Sequence, residues 1–283
     1  MKIVVTGGSG FVGKHTIAAL KEKGYEVLNY DKSEGYDILS KKQLKSVIKK
    51  GDKVLHEAAM ARFSDADKNP LLAYEINALG TKNVVDACNE NMVDRLVHAS
   101  TGSVYMPLVK VPITEDDQIR GNSVYGCSKT VAEKYVEKCQ RPWITLRYAH
   151  LYGEGKEGHG AIGGFMDKMK QGLSPVLFGG QQSNDFTYIK DIVEANILAL
   201  ETIDIEVFLN AYNIGTGTEL TTEDVFEKLK VFFGYDKDFE RLPQREVDPG
   251  RFAYDVSKAD RMLKFKSKYS FLEGMNDWQN DKR

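Results

Sequence analysis

In the segment VYGCSKT, Tyr125 precedes Lys129 by four residues, with only small or polar side chains between them. On a helix such positions share a face, so both side chains can enter one cleft. A fixed ammonium favours the phenolate, and it would draw the tyrosine's proton affinity down from its ordinary value of about 10 toward neutral pH. The pair is therefore a candidate acid/base. A further hydroxyl comes from Thr101, which ends the apolar run RLVHAS and can align a substrate hydroxyl; Ser100 and Ser103 compete for that role. A tyrosine–lysine pair on an exposed helix is usually structural, and this one gains weight from TGGSGFVG, Thr6 to Gly13, directly after the first apolar run. Glycines at 7, 8, 10 and 13 permit a tight turn and let backbone amides at a helix N-terminus approach a pyrophosphate. Asp31 ends the second apolar run, where an acid accepts hydrogen bonds from an adenosine 2′-hydroxyl and repels a 2′-phosphate, which favours NAD over NADP. Lys32, next to it, softens that preference.

These groups need a scaffold that brings them to one edge. The order KIVVTG, FVGKHTIAALKEKG, YEVLNYD, LSKKQLKSVIKK, DKVLHEAA reads βαβαβ, and it continues through a helix from Tyr74 to Glu90, the strand RLVHAS, a helix from about Tyr125 to Gln140 and the strand WITLRYAH. Strands that are apolar throughout belong to a sheet covered on both faces. The fold class expected is α/β, a Rossmann-type doubly wound parallel sheet with a smaller C-terminal α/β substrate-binding region. Residues 1–150 with about 208–236, including a returning strand AYNIG and a helix capped near Thr221 or Thr222, form the expected NAD-binding part. Residues 151–207 and 237–283 form the substrate-binding part.

The 283 residues carry 39 Lys and Arg against 41 Asp and Glu, so no global field would hold the chain to nucleic acid or an anionic membrane. No apolar run approaches the roughly 20 residues needed to span a bilayer, and no signal peptide precedes the first strand; the expected location is cytoplasmic. Cys88, Cys127 and Cys139 lack CxxC or Cys/His spacing, which supports neither a disulfide framework nor a metal site and leaves three free thiols.

TGGSGFVG, HEAA, STGSVY, YGCSK and LRYAHLYG follow the order and spacing of the extended short-chain dehydrogenase/reductase family. The chain resembles its NAD-dependent epimerase/dehydratase branch, near UDP-glucose 4-epimerase-type nucleotide-sugar enzymes, over nearly its whole length and most strongly to about Gly153. The resemblance implies Tyr125 as acid/base, Lys129 on the nicotinamide ribose and Thr101 orienting the sugar. It also implies NAD contacts from Gly7, Gly10, Phe11, Val12, Gly13, Asp31, Asp37 and Ile38. Ala58 and Ala59 would line the nicotinamide side, with Asn77 as a buttress and a cofactor-side residue. A nucleotide-diphosphate sugar, UDP-linked in such relatives, would meet Thr101, Tyr125, His150, Asn184 and Arg245, with Arg251 in reserve. A homodimer through the helix near 83–90 and the Tyr125 helix is implied as well.

The departures from the pattern are informative. Glu57 stands where an apolar residue is usual, and it requires either solvent or a partner. His150 replaces an asparagine and Asn184 an arginine, so phosphate contact and packing are both open for the histidine. His56 and His98 read as structural. In such relatives an epimerase oxidises the sugar at C4 to a transient ketone and reduces it again, whereas a 4,6-dehydratase needs Asp and Glu directly after the threonine and a decarboxylase a glutamate at Ser103. This chain has Gly102 and Ser103 there. A 4-epimerase is the expectation; the alternatives are a reductase or reductive epimerase, a dehydratase or decarboxylase, and a non-catalytic dinucleotide sensor.

Overall fold

A computed structural model of the chain describes residues 2–107, 110–158, 160–243 and 250–280. Strands β1 (Ile3–Thr6), β2 (Val27–Tyr30), β3 (Lys53–His56), β4 (Arg95–Thr101) and β5 (Trp143–Tyr148) alternate with helices α1 (Phe11–Glu22), α2 (Lys41–Val47), α3 (Phe63–Lys68), α4 (Pro70–Tyr74), α5 (Gly80–Glu90) and α6 (Val124–Val136). Then follow β6 (His150–Tyr152), α7 (Gly160–Lys170), β7 (Val176–Phe178), β8 (Ser183–Asn184), β9 (Phe186–Tyr188), α8 (Ile189–Glu201), β10 (Asn210–Ile214), β11 (Leu220–Thr221), α9 (Thr222–Phe233), β12 (Glu240–Leu242) and α10 (Phe271–Asn280). The main sheet runs β10-β5-β4-β3-β1-β2 with every neighbouring pair parallel, as expected for a doubly wound sheet. Its register sets Thr6 beside His56, His56 beside His98, and Thr101 beside Tyr148. Among the described residues no helix is long and apolar enough to cross a membrane.

Local chemistry sets the helix ends. Ser123 caps α6 by accepting from Gly126 N at 3.0 Å, and Thr221 with Asp224 forms a capping box on α9. The α6 helix stops at Val136, short of Gln140, and Asn89 Oδ1 accepts from Gln140 N at 2.8 Å just beyond that end. The single helix expected from Tyr74 to Glu90 is instead α4, a π turn over Glu75–Leu79 and α5. Such a turn inserts one residue and redirects its neighbours, here bringing Asn77 into the interior.

Two helices pack across the division expected from the sequence. Helix α8 was placed with the substrate part, but it packs on α1 and on β3, β4 and β5, with Asn196 Nδ2 donating to Thr16 Oγ1 at 3.2 Å. Helix α9 was placed with the nucleotide part, but it packs on α7 and β11. One apolar cluster runs from Ile3 and Leu55 through Ile192 to Phe226 and Trp278, so the two regions share a core. The second region adds three two-stranded sheets, β11-β8, β12-β7 and β6-β9.

A buried ion pair joins the layers. Arg147 on β5 and Glu133 on α6 are 7% and 4% exposed and meet at 2.7 Å between Nη2 and Oε2. Ser100 Oγ on β4 donates to Glu133 Oε1 at 2.5 Å, and Arg147 Nη1 donates to the Tyr105 hydroxyl at 2.6 Å. Removing one partner strands the other charge in the interior, which typically costs about 3–5 kcal/mol. Urea unfolding should therefore show Glu133→Leu destabilised by about that amount, and adding Arg147→Met should recover part of the loss; a double variant no more stable than the single one would refute the coupling.

Candidate functional site

The glycine turn lies between β1 and α1. Gly7 has φ of +70°, and a Cβ there would come within 2.6 Å of Ala58 N and Cα, so only glycine lets the turn rest on the end of β3. Gly10 is the N-cap of α1 and offers no side-chain cap, which leaves the first-turn amides, Phe11 and Val12 among them, for an anion. Burial raises Asp31, but hydrogen bonds from Ser33 and Ser9 more than offset this and hold its carboxyl below the ordinary range. Asp31 Oδ2 accepts from Ser9 N at 3.2 Å, which links the acid to the turn. Asp37 accepts from Leu39 N at 2.8 Å, and buried Ile38 lies against Gly80. These groups fit a dinucleotide: a side-chain-free cradle, a helix N-terminus and an ionised acid at the next strand end.

Across the edge stand the other candidates. Tyr125 and Lys129 are both buried on α6, and the Tyr125 phenol lies beside Thr101. Thr101 Oγ1 accepts from Ser103 N at 3.2 Å, which orients it at the end of β4. Burial pushes Tyr125 up to about 12; the Thr101 hydroxyl opposes this and the Glu57 charge adds to it. Burial likewise brings Lys129 down to about 8, with Glu133 and Glu57 opposing. The ammonium donates to Ala99 O at 2.7 Å and to His98 Nε2 at 3.1 Å, so its hydrogen bonds run to the strand. The lowered phenol affinity expected from the four-residue spacing is thus not present in the polypeptide: burial raises the phenol, and the Lys129 ammonium is bonded to the strand.

Asn77 is fully enclosed. Its Oδ1 accepts from Met60 N at 2.7 Å, and its Nδ2 donates to Met60 O at 3.2 Å and to Ser128 Oγ at 2.9 Å. With every polar atom engaged it stands behind the cofactor side, tying the loop after Ala58 and Ala59 to α6, and it offers no free group to a cofactor. His56 belongs to the same support. Thr81 donates to Asn77 O at 2.6 Å, so it accepts from His56 Nε2 at 2.8 Å, and His56 Nδ1 accepts from Thr6 at 2.6 Å. Burial and the Lys129 charge hold this imidazole neutral, down to about 3.

Glu57 has the partners that sequence reasoning left open. Its Oε1 lies 3.0 Å from the Tyr148 hydroxyl and 3.0 Å from Asn196 Nδ2. The Tyr148 hydroxyl has one hydrogen and a second acceptor, Asn196 Oδ1, at 2.6 Å, so a proton on Glu57 lets every contact be a bond. Burial accordingly raises Glu57 to about 7 against the bonds from Tyr148 and Asn196 and the charge of Lys129.

The substrate-side candidates are more dispersed. His150, on β6, meets Phe186 edge-on at 5.6 Å and keeps an exposed edge. Enclosure and Lys156 depress its basicity, though its exposure moderates the effect. Asn184 is half-buried on β8. Arg251 is engaged by Glu219, with Nε–Oε1 at 2.8 Å and Nη2–Oε2 at 2.6 Å. Arg245 and His159 lie outside the described residues. Gly102 matters for what it forbids: a Cβ there would lie 2.6 Å from Phe252 Cε2 and 2.9 Å from the Tyr254 hydroxyl, so no acid fits directly after Thr101. Cys88 and Cys139 are buried free thiols, and Cys127 is a partly buried one.

A parallel doubly wound sheet with a glycine turn, a strand-end acid and a buried tyrosine–lysine pair at one edge defines a dinucleotide-dependent enzyme fold. Residues 3–215 match the model of the NAD-dependent epimerase/dehydratase family. A Methanocaldococcus jannaschii protein provisionally named as a UDP-glucose 4-epimerase is 33% identical over 297 residues, covering 96% of this chain and 95% of that protein. The crystal structure of UDP-glucose 4-epimerase from Thermotoga maritima with UDP-glucose superposes with a TM-score of 0.90 at 28% identity, covering 100% of this chain and 99% of the other. The Thermus thermophilus UDP-glucose 4-epimerase complex with NAD gives 0.86 at 27%, covering 99% and 98%. The chain belongs to the NAD-dependent epimerase/dehydratase family, and NAD is its cofactor.

Sequence reasoning missed His98 and the partners of Glu57. The available signal was period-two alternation in RLVHAS, which puts His98 and Ser100 on the face that meets Lys129 and Glu133. Ionising Glu57 disfavours the folded state, since its affinity rises from an ordinary 4.5 to about 7 on folding. Glu57→Gln mimics the protonated acid. Thermal unfolding should show the variant equal to the parent near pH 4.5 and more stable by about 1–3 kcal/mol above pH 7, the gap opening between those values; a constant gap would refute a titrating Glu57.

Proposed function

We propose that the chain is an NAD-dependent nucleotide-sugar 4-epimerase of UDP-hexose type, working through a transient 4-keto sugar. One observation carries the reading: a buried Tyr125 beside Thr101, one helical turn from Lys129, at the sheet edge that also holds the glycine turn. NAD⁺, when bound, supplies a hydride acceptor and a positive charge; the glycine turn, the α1 amides and Asp31 are the groups that would hold it. Thr101 orients the sugar 4-hydroxyl by hydrogen bonding. As the phenolate, which the positive charge of NAD⁺ would favour, Tyr125 takes that hydroxyl's proton as the carbinol becomes a ketone, and the resulting phenol returns it once the opposite face has been reduced. Lys129 keeps a positive charge near the reacting oxygen. His150 and Asn184 fall to the diphosphate side. The steric closure around Gly102 disfavours dehydration, which needs an acid there.

Given UDP-glucose, UDP-GlcNAc or UDP-glucuronate, the protein should form the C4 epimer with no net change in NAD. Dehydrated, decarboxylated or net-reduced sugar without the epimer would overturn the reading. Tyr125→Phe should keep its fold and NAD affinity while turnover falls by about 10²–10⁴-fold; near-parental turnover would remove Tyr125 from the role.

The second copy of a homodimer has a face to meet. Leu71, Leu72, Leu79 and Val131 are exposed on α4, the π turn and α6, whereas Val84, Val85, Ala87 and Cys88 of α5 are buried in the chain's own core. We propose that a homodimer pairs through the former set. Light scattering should give twice the chain mass at micromolar concentration and a shift to the single mass on Leu79→Asp with Val131→Asp; a parent monomer would refute it.

A further inference from the structure

We propose that His98 is a positioning residue for the reaction: its Nε2 accepts a hydrogen bond from Lys129 and holds the ammonium at the site edge, while its Nδ1–H is left without a partner. The inference rests on the reading of Lys129 given above.

The geometry fixes the direction of the bond. An ammonium has only donors, so at 3.1 Å the His98 Nε2 must be the acceptor, and the ring's own hydrogen sits on Nδ1. His98 is 0% exposed, and its Nδ1 has no hydrogen-bond partner among the described residues. A buried donor left unbonded typically costs about 1–3 kcal/mol, and an apolar side chain at this position would avoid it. A purely structural histidine would turn its bonded nitrogens to protein partners, as His56 does two strand residues from Val54 in the adjacent strand, with both nitrogens engaged. His98 instead gives its one bond to the lysine of the site.

The groups acting on Lys129 come from each neighbouring element. Glu133 on its own helix and Glu57 after β3 favour the cation. His56 on β3, held neutral, lies 5.6 Å from His98 ring to ring, and Arg147 on β5 opposes a charge on His98. Burial first, then Lys129 and these neighbours, keep His98 neutral and so an acceptor. Removing the acceptor removes stabilisation of the ammonium, so the lysine would lose its proton at lower pH.

The test uses selectively ¹⁵N-labelled full-length protein and a pH series of turnover. In the parent, His98 should show the Nδ1–H tautomer across neutral pH; an Nε2–H tautomer below the Lys129 titration would overturn the proposal without any variant. In His98→Leu the Lys129 Nζ titration and the alkaline limb of kcat should both move down by about one pH unit, with neutral-pH turnover about tenfold lower, whereas His98→Gln, which retains an acceptor, should return toward the parent. Loss of thermal stability in both variants with unmoved titrations would mean a merely structural role and would sink the proposal. Lys129→Met assigns the resonance and separates the two failures. If it turns over normally, the reading of Lys129 fails and takes the proposal with it; if it is inactive while His98→Leu titrates as the parent does, only the His98 proposal fails.

Discussion

The placement of one ammonium in a dry interior constrains the whole site. Lys129 is 2% exposed, and a cation taken that far from water must be met by acceptors and counter-charges or lose its proton. The carbonyl of Ala99 and the ring of His98 meet it directly, while Glu133 and Glu57 act through the field. Glu133 is itself paired with Arg147, and the second acid beneath the edge, Glu57, is raised by burial to about 7.

The fold brings this about by ordinary means. Parallel strands with helical crossovers leave every strand's carboxyl end on one edge, and that is where Thr6, Glu57, Thr101 and Tyr148 arrive. The groups legible in the sequence were those whose meaning is local. The glycine turn needs only eight consecutive residues, the tyrosine–lysine pair one helical turn, and the sheet its runs of apolar residues buried on both faces. Each of these has a fixed local period that sequence displays.

What was not legible depends on distant partners. Glu57 is explained by residues 91 and 139 positions away, and α8 joins the nucleotide layer through an Asn196–Thr16 contact spanning 180 positions. No periodicity encodes these. The setting of Asn77 was hidden for a related reason: a π turn rotates it inward, and a one-residue insertion in a helix leaves the apolar pattern around it nearly intact. The lysine's direction was missed because spacing fixes which face a side chain leaves from but not which acceptor a four-carbon stem will reach.

Tyr125 shows how far the polypeptide goes by itself. Its phenol, held at about 12, keeps a proton firmly, because the interior that excludes water also disfavours a phenolate and the Glu57 charge disfavours it further. A residue that must both accept and return a proton in one turnover benefits from an affinity that follows the charge beside it. Bringing positive charge close lowers the affinity and removing it restores the high value; in a low-dielectric site each change is larger than it would be in water. Lys129 cannot provide that alternation, since its bonds to Ala99 and His98 keep its cation in place. The fixed lysine sets the baseline, and the alternating charge must come from the redox partner, so the tyrosine's burial is a requirement of the cycle and not merely a consequence of packing.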